Sequence, residues 1–254
     1  MSSTIDIYDA PEADLYDAPH SGEYGSIEKG LAGDYEFSIG AIYSEAWSKV
    51  SGNKMLVFGI SLVYIAIMVI YVAAMGITEA LFGMEGPQEG VTLNPAGFPI
   101  DLIYYGVYGV MTVGSTVIGA KLSMGLPTGI NDLFRFANRF LRALLTYILM
   151  IIMIVIGFLL LVIPGIYLSV AYMHALPLAL EKGLSPWQAL ETSRKAISKR
   201  WFAFLGYMMV NGIIALGGIL TLGIGFIWLA PLLIIAFGIT YRNIFGLSPE
   251  TLAS

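Results

Sequence analysis

His174 is the ionisable side chain that lies deepest within a hydrophobic stretch of this sequence. An ionisable group inside a membrane span is costly to bury and is by default a candidate functional residue. Metal binding would require further ligands, but the one other histidine is His20, near the N-terminus. Proton coupling normally uses a carboxylate partner, and no span offers one at this depth. We therefore expect a neutral, structural imidazole that hydrogen-bonds across helices, with Tyr147 or Tyr207 as partner.

Other polar side chains within hydrophobic stretches suit interhelical hydrogen bonds worth about 0.6–2 kcal/mol each. They are Asn211, Thr112, Ser115 and Thr116. The chain has no cysteine, which excludes disulfides, thiolate catalysis and cysteine-ligated metals. We find no nucleophile–base–acid set and no phosphate-binding glycine loop. The sequence therefore predicts no enzymatic activity, no cofactor and no metal site.

Composition indicates an integral membrane protein. Hydrophobic residues make up 57% of the 254 residues and charged residues 12%, and mean hydropathy is +0.78. A soluble domain usually carries about twice that charge. We therefore predict an all-α, polytopic membrane protein with six transmembrane helices. The six hydrophobic runs begin near Met55, Ile103, Ala143, Ile166, Phe202 and Phe226.

The distribution of basic residues predicts the topology. If the six runs cross the membrane alternately from a cytoplasmic N-terminus, all 13 Lys and Arg residues lie on the cytoplasmic side. The positive-inside bias then places both termini in the cytoplasm.

A three-fold internal repeat is predicted within residues 37–247, the six-span membrane domain. Each unit would contain a cytoplasmic-side amphipathic helix, a span, a turn and a returning span. The three amphipathic helices cover about 39–50, 130–141 and 185–199, and each has apolar residues at helical spacing. The repeat units are 37–125, 126–183 and 184–247, and residues 248–254 form a short cytoplasmic C-terminus.

The N-terminal segment, residues 1–36, is acidic and lacks apolar periodicity, so we predict a disordered cytoplasmic tail. It contains the tetrapeptide Tyr-Asp-Ala-Pro twice, eight residues apart. A solubilising tail and a docking peptide are both consistent with this pattern. Its negative charge would repel phosphate, so nucleic-acid binding is not expected. The candidate docking residues are Tyr8, Pro11, Tyr16 and Pro19.

Basic residues beside the second and third amphipathic helices would lie at the level of cytoplasmic headgroups. There each could contribute about 1 kcal/mol towards binding anionic lipid. The same charges also set topology, so lipid contact is a second interpretation. The candidate headgroup contacts are Arg135, Arg139, Arg142, Arg194, Lys195, Lys199 and Arg200.

One stretch carries a family resemblance. It comprises IPGIY at 163–167, ALPL at 175–178, EKGLSPWQAL at 181–190 and SRK at 193–195. Here the chain resembles a broad group of bacterial six-helix inner-membrane proteins, similar to the membrane domain of some glycerophosphodiester phosphodiesterases. The resemblance implies an all-helical fold over roughly 37–247, and it implies a location in a bacterial cytoplasmic (inner) membrane. It implies no reaction, because the phosphodiesterase chemistry of those proteins belongs to a separate barrel domain.

Two functions remain open. The first is a non-enzymatic scaffold or accessory subunit that associates with itself or with another membrane protein. The alternative is a transporter or lipid-handling protein, since internal repeats are common among transporters. Two-span units keep the same orientation in successive copies, however, and we expect no broken, charged helices of the kind that ion-coupled carriers use.

Overall fold

A computed structural model describes residues 24–82, 97–221 and 223–253, and within these ranges the chain is helical with no β-strand. Short 3-10 helices at Ile130–Phe134 and Ala137–Arg139 precede α4. The α-helices are α1 (Ile27–Ala32), α2 (Ile39–Phe82), α3 (Phe98–Met124), α4 (Phe140–Leu160), α5 (Val162–Ala171), α6 (Ala175–Leu180), α7 (Pro186–Ser198), α8 (Trp201–Leu220), α9 (Phe226–Phe245) and α10 (Pro249–Leu252).

Five helical stretches in the described ranges are long and apolar enough to cross a bilayer, which gives the chain the architecture of a multi-pass membrane protein. They are α2, α3, Ile130–Leu160 (which includes α4), α8 and α9. A membrane core of about 30 Å needs roughly 20 helical residues, and each stretch supplies at least that number. The all-α prediction is thereby confirmed, but the count of six spans is not.

The segment predicted as the fourth span is divided into α5, of 10 residues, and α6, of 6 residues. Between them Tyr172 and His174 leave helical geometry, with φ, ψ of −94°, 7° and −105°, 11°. Pro177 explains the break, since it lacks the N–H that would bond to the carbonyl of Met173 and its ring opposes a continuous helix there. The predicted fourth span is therefore broken at this position, although residues 172–174 include no Asp, Glu, Lys or Arg.

Helices α3 and α9 form the centre of the packing, and they meet backbone to backbone. A Cβ built on Gly238 would lie 2.2 Å from the Ala120 nitrogen, and one on Gly119 would lie 2.2 Å from the Ile234 carbonyl oxygen. Gly119 of α3 and Gly238 of α9 therefore allow the close approach of the two helices. On α8, by contrast, Gly212 and Gly217 have nothing within 4 Å of the Cβ position.

Two polar contacts mark opposite ends of the helices. At one end Arg242 of α9 bonds to Glu45 of α2 and Ser123 of α3. At the other end the Tyr71 hydroxyl donates to Asp101, 2.8 Å away. About 33 Å of α3 separates Asp101 from Ser123 at ~1.5 Å per residue, which is close to a membrane thickness. We call the end that contains Glu45, Ser123 and Arg242 the basic end.

The three predicted amphipathic helices take three different forms. The first is the beginning of α2 and continues into the first span without interruption, since residues 51–54 contain no proline. Within this stretch the Asn53 side chain donates to the Lys49 carbonyl at 2.8 Å. The second is the pair of 3-10 helices rather than an α-helix. The third is the separate helix α7, which begins with a capping box between Ser185 and Gln188. Three equivalent helix–span–span units are therefore not confirmed.

The prediction that residues 1–36 are disordered is wrong for residues 24–36. Helix α1 is capped by the Ser26 side chain and ends at Gly33, whose φ of 83° suits glycine. The Tyr35 ring is buried, and its hydroxyl donates to the Ala196 carbonyl of α7 at 2.8 Å. These residues bury apolar surface against the helices, so they order despite their polar composition.

Candidate functional site

The predicted headgroup residues near α4 contact protein groups at the basic end. Arg135 pairs with Asp132 at 3.6 Å and donates to the Glu250 carbonyl at 2.9 Å. Arg139 donates to the Leu180 carbonyl, and Arg142 donates to the Ala179 carbonyl at 3.4 Å. Arg139 and Arg142 thus meet the last residues of α6, an arrangement that helical periodicity alone did not predict.

The predicted headgroup residues of α7 are engaged differently. Arg194 donates two hydrogen bonds to Glu191, at 2.9 and 2.8 Å, and Lys195 lies 3.3 Å from the same carboxylate. The hydrogen bonds from Arg194 are the main reason that the pKa of Glu191 lies below its usual value. The Glu191 carboxylate thus offsets part of the charge of these two bases within α7, which reduces their capacity to bind an external anion.

The last two predicted headgroup residues, Lys199 and Arg200, are exposed and contact the N-terminal segment. The Lys199 stem lies against Gly33, and the Arg200 guanidinium lies 5.5 Å from the centre of the Tyr35 ring. Burial raises the pKa of Tyr35 to about 12, and the nearby charge of Arg200 partly opposes this shift. Both bases thus help to hold residues 24–36 in place.

His174 is fully buried at the break between α5 and α6. Its Nε2 lies 3.2 Å from the Thr240 hydroxyl, and its ring packs against Phe237 at a centroid distance of 4.8 Å. Its bonding partner is thus Thr240 rather than Tyr147 or Tyr207. Among the described residues its Nδ1 has no hydrogen-bond partner.

The intramembrane polar residues converge on one groove between α2 and α8, with α3 and α9 as its floor. The groove holds about 400 Å³ and is lined by three apolar side chains from α9 and by hydroxyl and amide groups. Asn211 donates to the Tyr207 carbonyl at 2.9 Å, and the Tyr64 hydroxyl lies 3.2 Å from that of Ser115. The polar lining residues are Tyr64, Tyr108, Thr112, Ser115, Thr116 and Asn211.

Sequence analysis did not identify the ion pair at the centre of the basic end. Arg242 is 5% exposed and donates to Glu45 at 2.7 and 3.1 Å, to Ser123 at 2.7 Å and to Asn243 at 2.9 and 3.1 Å. The Tyr24 ring lies 4.5 Å from its guanidinium carbon. This one side chain therefore joins α2, α3, α9 and the N-terminal segment. Glu45 and Arg242 lie in separate hydrophobic regions of the sequence, so spacing could not pair them.

A second carboxylate missed from the sequence, Glu181, holds the C-terminal segment. Its side chain is buried, accepts from the Tyr241 hydroxyl at 2.8 Å and from the Ser248 backbone N–H, and lies 3.5 Å from the Lys182 ammonium. A carboxylate that satisfies three partners acts as a structural connector. It links α9 to α10 at the basic end.

The N-terminal segment also forms one wall of a polar cleft of about 420 Å³. Lys29 and Arg200 line it together with Asp34 and Glu36, so its charges are mixed. No cluster of His, Cys, Asp or Glu suitable for a metal occurs in the described part of the chain. The candidate docking residues Tyr8, Pro11, Tyr16 and Pro19 lie outside the described residues.

At the basic end, Arg242 contacts the N-terminal segment and Glu181 contacts the start of α10. This end of the protein therefore holds both chain segments that flank the membrane region. Comparison with known protein families, curated proteins and solved structures finds no match to this chain. The resemblance to the phosphodiesterase-linked membrane domains accordingly stays a prediction.

Proposed function

We propose that this chain is a non-enzymatic membrane scaffold or accessory subunit that presents its N-terminal tail to another membrane protein or to a second copy of itself. The observation that carries the proposal is the attachment of residues 24–36 to the basic end. The Gly25 N–H donates to the Arg242 carbonyl at 3.2 Å, while Tyr24 packs on the guanidinium of the same residue. Tyr35 supplies a second attachment through Ala196.

Because residues 24–36 are attached to the basic end, the residues before them are joined to the protein at a fixed point. Residues 1–23 contain both Tyr-Asp-Ala-Pro copies and continue directly from Tyr24. A tether raises the effective concentration of a binding peptide near its target when its length matches the distance. Two copies of one motif on such a tether favour a partner, or a pair of partners, with two acceptor sites.

The proposed membrane placement is six crossings with both termini in the cytoplasm of a bacterial cell. Helices α5 and α6 together would form the fourth crossing, because residues 157 and 165 meet at one end of the α4–α5 hairpin and Arg142 meets Ala179 at the other. The proposed internal repeat of 37–125, 126–183 and 184–247 accords with this alternation. Since the chain lacks cysteine, single cysteines at Ser3 and Gly90 can be labelled selectively. Outer-side labelling of position 3, or protection of position 90, contradicts the topology.

The docking role is tested by replacing both motif tyrosines, Tyr8→Ala and Tyr16→Ala, and measuring quantitatively what co-purifies with the protein in mild detergent. We expect unchanged membrane insertion and reduced recovery of the partner or of a differently tagged second copy. His20→Ala, in the same segment but outside both motifs, is the matched control. If the double variant and the control recover equal amounts of the partner, the tail has only a solubilising role. The scaffold proposal would then lose its basis.

A second function, lipid handling, is favoured by the groove between α2 and α8. Its hydroxyl and amide groups would suit the head of an uncharged lipid, while Leu233, Ile234 and Phe237 would contact an acyl chain. A photoactivatable diacylglycerol should then crosslink to the wild type and crosslink less to Asn211→Leu. Crosslinking that is equal in the two proteins, or spread evenly over all lipid-exposed helices, argues against this function.

A further inference from the structure

Arg139 and Arg142 differ in their charge balance from Arg135, Arg194 and Arg242 of the basic end. Arg135, Arg194 and Arg242 each have a carboxylate within 4 Å. Neither Arg139 nor Arg142 forms an ion pair within the described ranges of the chain. Two positive charges one helical turn apart therefore lack an internal counter-charge, and they repel each other unless an external anion is bound.

Contacts with α6 hold the two guanidinium groups in place without using up their donors. Each group donates one hydrogen bond to a backbone carbonyl, Arg139 to Leu180 and Arg142 to Ala179. A guanidinium has five N–H donors, so most donors of each side chain remain for a ligand. Arginine is suited to such a role because its planar fork matches two oxygens of a phosphate group.

An apolar surface begins directly beside these charges. Asn138, Leu141, Arg142 and Leu145 have the i, i+3, i+4, i+7 spacing of one helical face. With Arg139 and Pro186 they line a groove of about 330 Å³. Leu141 is 65% and Leu145 49% exposed, so the floor of the groove is open to a hydrocarbon chain.

The groove lies where an apolar span begins. Helix α4 belongs to the apolar stretch Ile130–Leu160, and Arg139 is its N-cap residue. Trp187, which follows Pro186, is 56% exposed, and tryptophan is enriched at the level of lipid headgroups. The two arginines lie at the mouth of the groove and the two leucines lie along the span. This order matches a phospholipid, whose phosphate lies at the membrane surface and whose acyl chains extend into the membrane.

We propose that Arg139 and Arg142 bind the phosphodiester of an anionic phospholipid whose acyl chain lies on Leu141 and Leu145. The two unneutralised charges select a lipid with net negative charge over a zwitterionic one, whose ammonium group they repel. Since each base near a membrane surface favours anionic lipid, two bases together predict a preference of about thirtyfold. This site goes beyond the scaffold proposal and does not depend on the tail.

The test uses the full chain, delipidated in mild detergent and titrated with dioleoyl phosphatidylglycerol or dioleoyl phosphatidylcholine, with bound lipid counted by native mass spectrometry. We expect one phosphatidylglycerol per chain to bind about thirtyfold more tightly than phosphatidylcholine. Arg142→Gln and Arg139→Gln should abolish that preference, and each glutamine retains an N–H donor for the α6 carbonyl. Arg194→Gln, whose partner is Glu191, is the matched control and should bind as the wild type does.

Leu145→Trp provides an independent variant, since it fills the groove and leaves both charges in place. It should lower phosphatidylglycerol binding as well, even if an arginine variant fails to fold. Equal affinity of the wild type for both lipids, or full phosphatidylglycerol binding by Arg142→Gln and Leu145→Trp, would overturn the proposal. Displacement of the lipid by inorganic phosphate at matched concentration would reassign the site to free phosphate and would also overturn it.

Discussion

Arg242 and Glu45 form an ion pair, 2.7 Å between Nη1 and Oε1, across 197 residues of chain. The pair joins the start of α2 to the end of α9, and Ser123 brings the end of α3 to the same guanidinium. The Arg242 side chain is 6% exposed and that of Glu45 is 35% exposed. The arginine is thus largely removed from water, and its hydrogen-bond partners compensate for the lost hydration.

Removing this arginine should destabilise the protein strongly. Arg242→Ala leaves Glu45 without its partner and also deletes the contacts with Ser123 and Tyr24. Since breaking a buried pair costs about 3–5 kcal/mol and Glu45 keeps access to water, we expect a loss of about 3 kcal/mol. The measurement is the unfolding free energy in mild detergent. Arg194→Ala, which breaks a half-exposed pair within α7, should cost less than about 1 kcal/mol, and equal losses for the two variants would contradict this ranking.

Several features of the fold follow from local sequence. Hydrophobic runs of sufficient length predict five of the helices that can cross a membrane, because length and apolarity are properties of the segment itself. The capping box of α7 was predictable for the same reason: Ser185 and Gln188 are three residues apart and need only each other.

Features that depend on distant contacts could not be predicted. Residues 24–36 are polar, and they order because Tyr35 finds a buried place beside Ala196 in a helix far along the chain. The Arg139 and Arg142 side chains point to the end of α6, which no periodicity of α4 reveals. Pro177 signals the break at residues 172–174, but the length and overall apolarity of the run predict one continuous span.

The backbone contact between α3 and α9 should not tolerate a methyl group. In Gly238→Ala the new Cβ would lie 2.2 Å from the Ala120 nitrogen and 2.3 Å from the Gly119 carbonyl carbon. The two helices would have to separate, and overpacking of this kind typically costs about 1–3 kcal/mol. Thermal unfolding in detergent should show a lower midpoint.

The control for this substitution is Gly217→Ala on α8, where nothing lies within 4 Å of the added Cβ. Alanine is favoured over glycine inside a helix by up to about 1 kcal/mol. Unfolding of this variant should therefore occur at the same or a higher temperature. A larger loss for Gly217→Ala than for Gly238→Ala would be inconsistent with the observed helix packing.

Tyr35 should make the folded protein less stable as the pH rises above 10. Its pKa is raised by burial from 10 to about 12, so the folded state holds the phenolic proton more tightly than the unfolded state does. The resulting contribution to stability is complete below pH 10 and is lost as the pH rises towards 12. Tyr35→Phe removes this contribution together with the hydrogen bond to Ala196, which is worth about 1 kcal/mol.

The measurement compares unfolding free energies of wild type and Tyr35→Phe as the pH is raised. Ionisation of the remaining tyrosines is common to both proteins and cancels in the difference. We expect the wild-type advantage to be constant up to about pH 10 and to shrink between 10 and 12. A difference that stays constant to pH 12 would show that Tyr35 is not buried in the folded protein.

His174 should prove structural. Its Nε2 contacts the Thr240 hydroxyl at 3.2 Å, and no carboxylate pairs with it among the described residues. His174→Gln supplies both a donor and an acceptor at nearly the same position, so the unfolding free energy should change by no more than about 1 kcal/mol. His174→Lys would place an ammonium group in the same apolar surroundings, and insertion scales assign such a group a cost of about 3 kcal/mol.

Both variants are measured by membrane insertion and by thermal unfolding of the purified protein. The scaffold proposal expects normal insertion and near-normal stability of His174→Gln, with poor insertion or folding of His174→Lys. A decisive contrary result is a His174→Gln protein that is folded but has lost a proton-dependent transport activity measured for the wild type in liposomes. The imidazole would then be a proton carrier positioned at a helix break, and the transporter function would replace the scaffold.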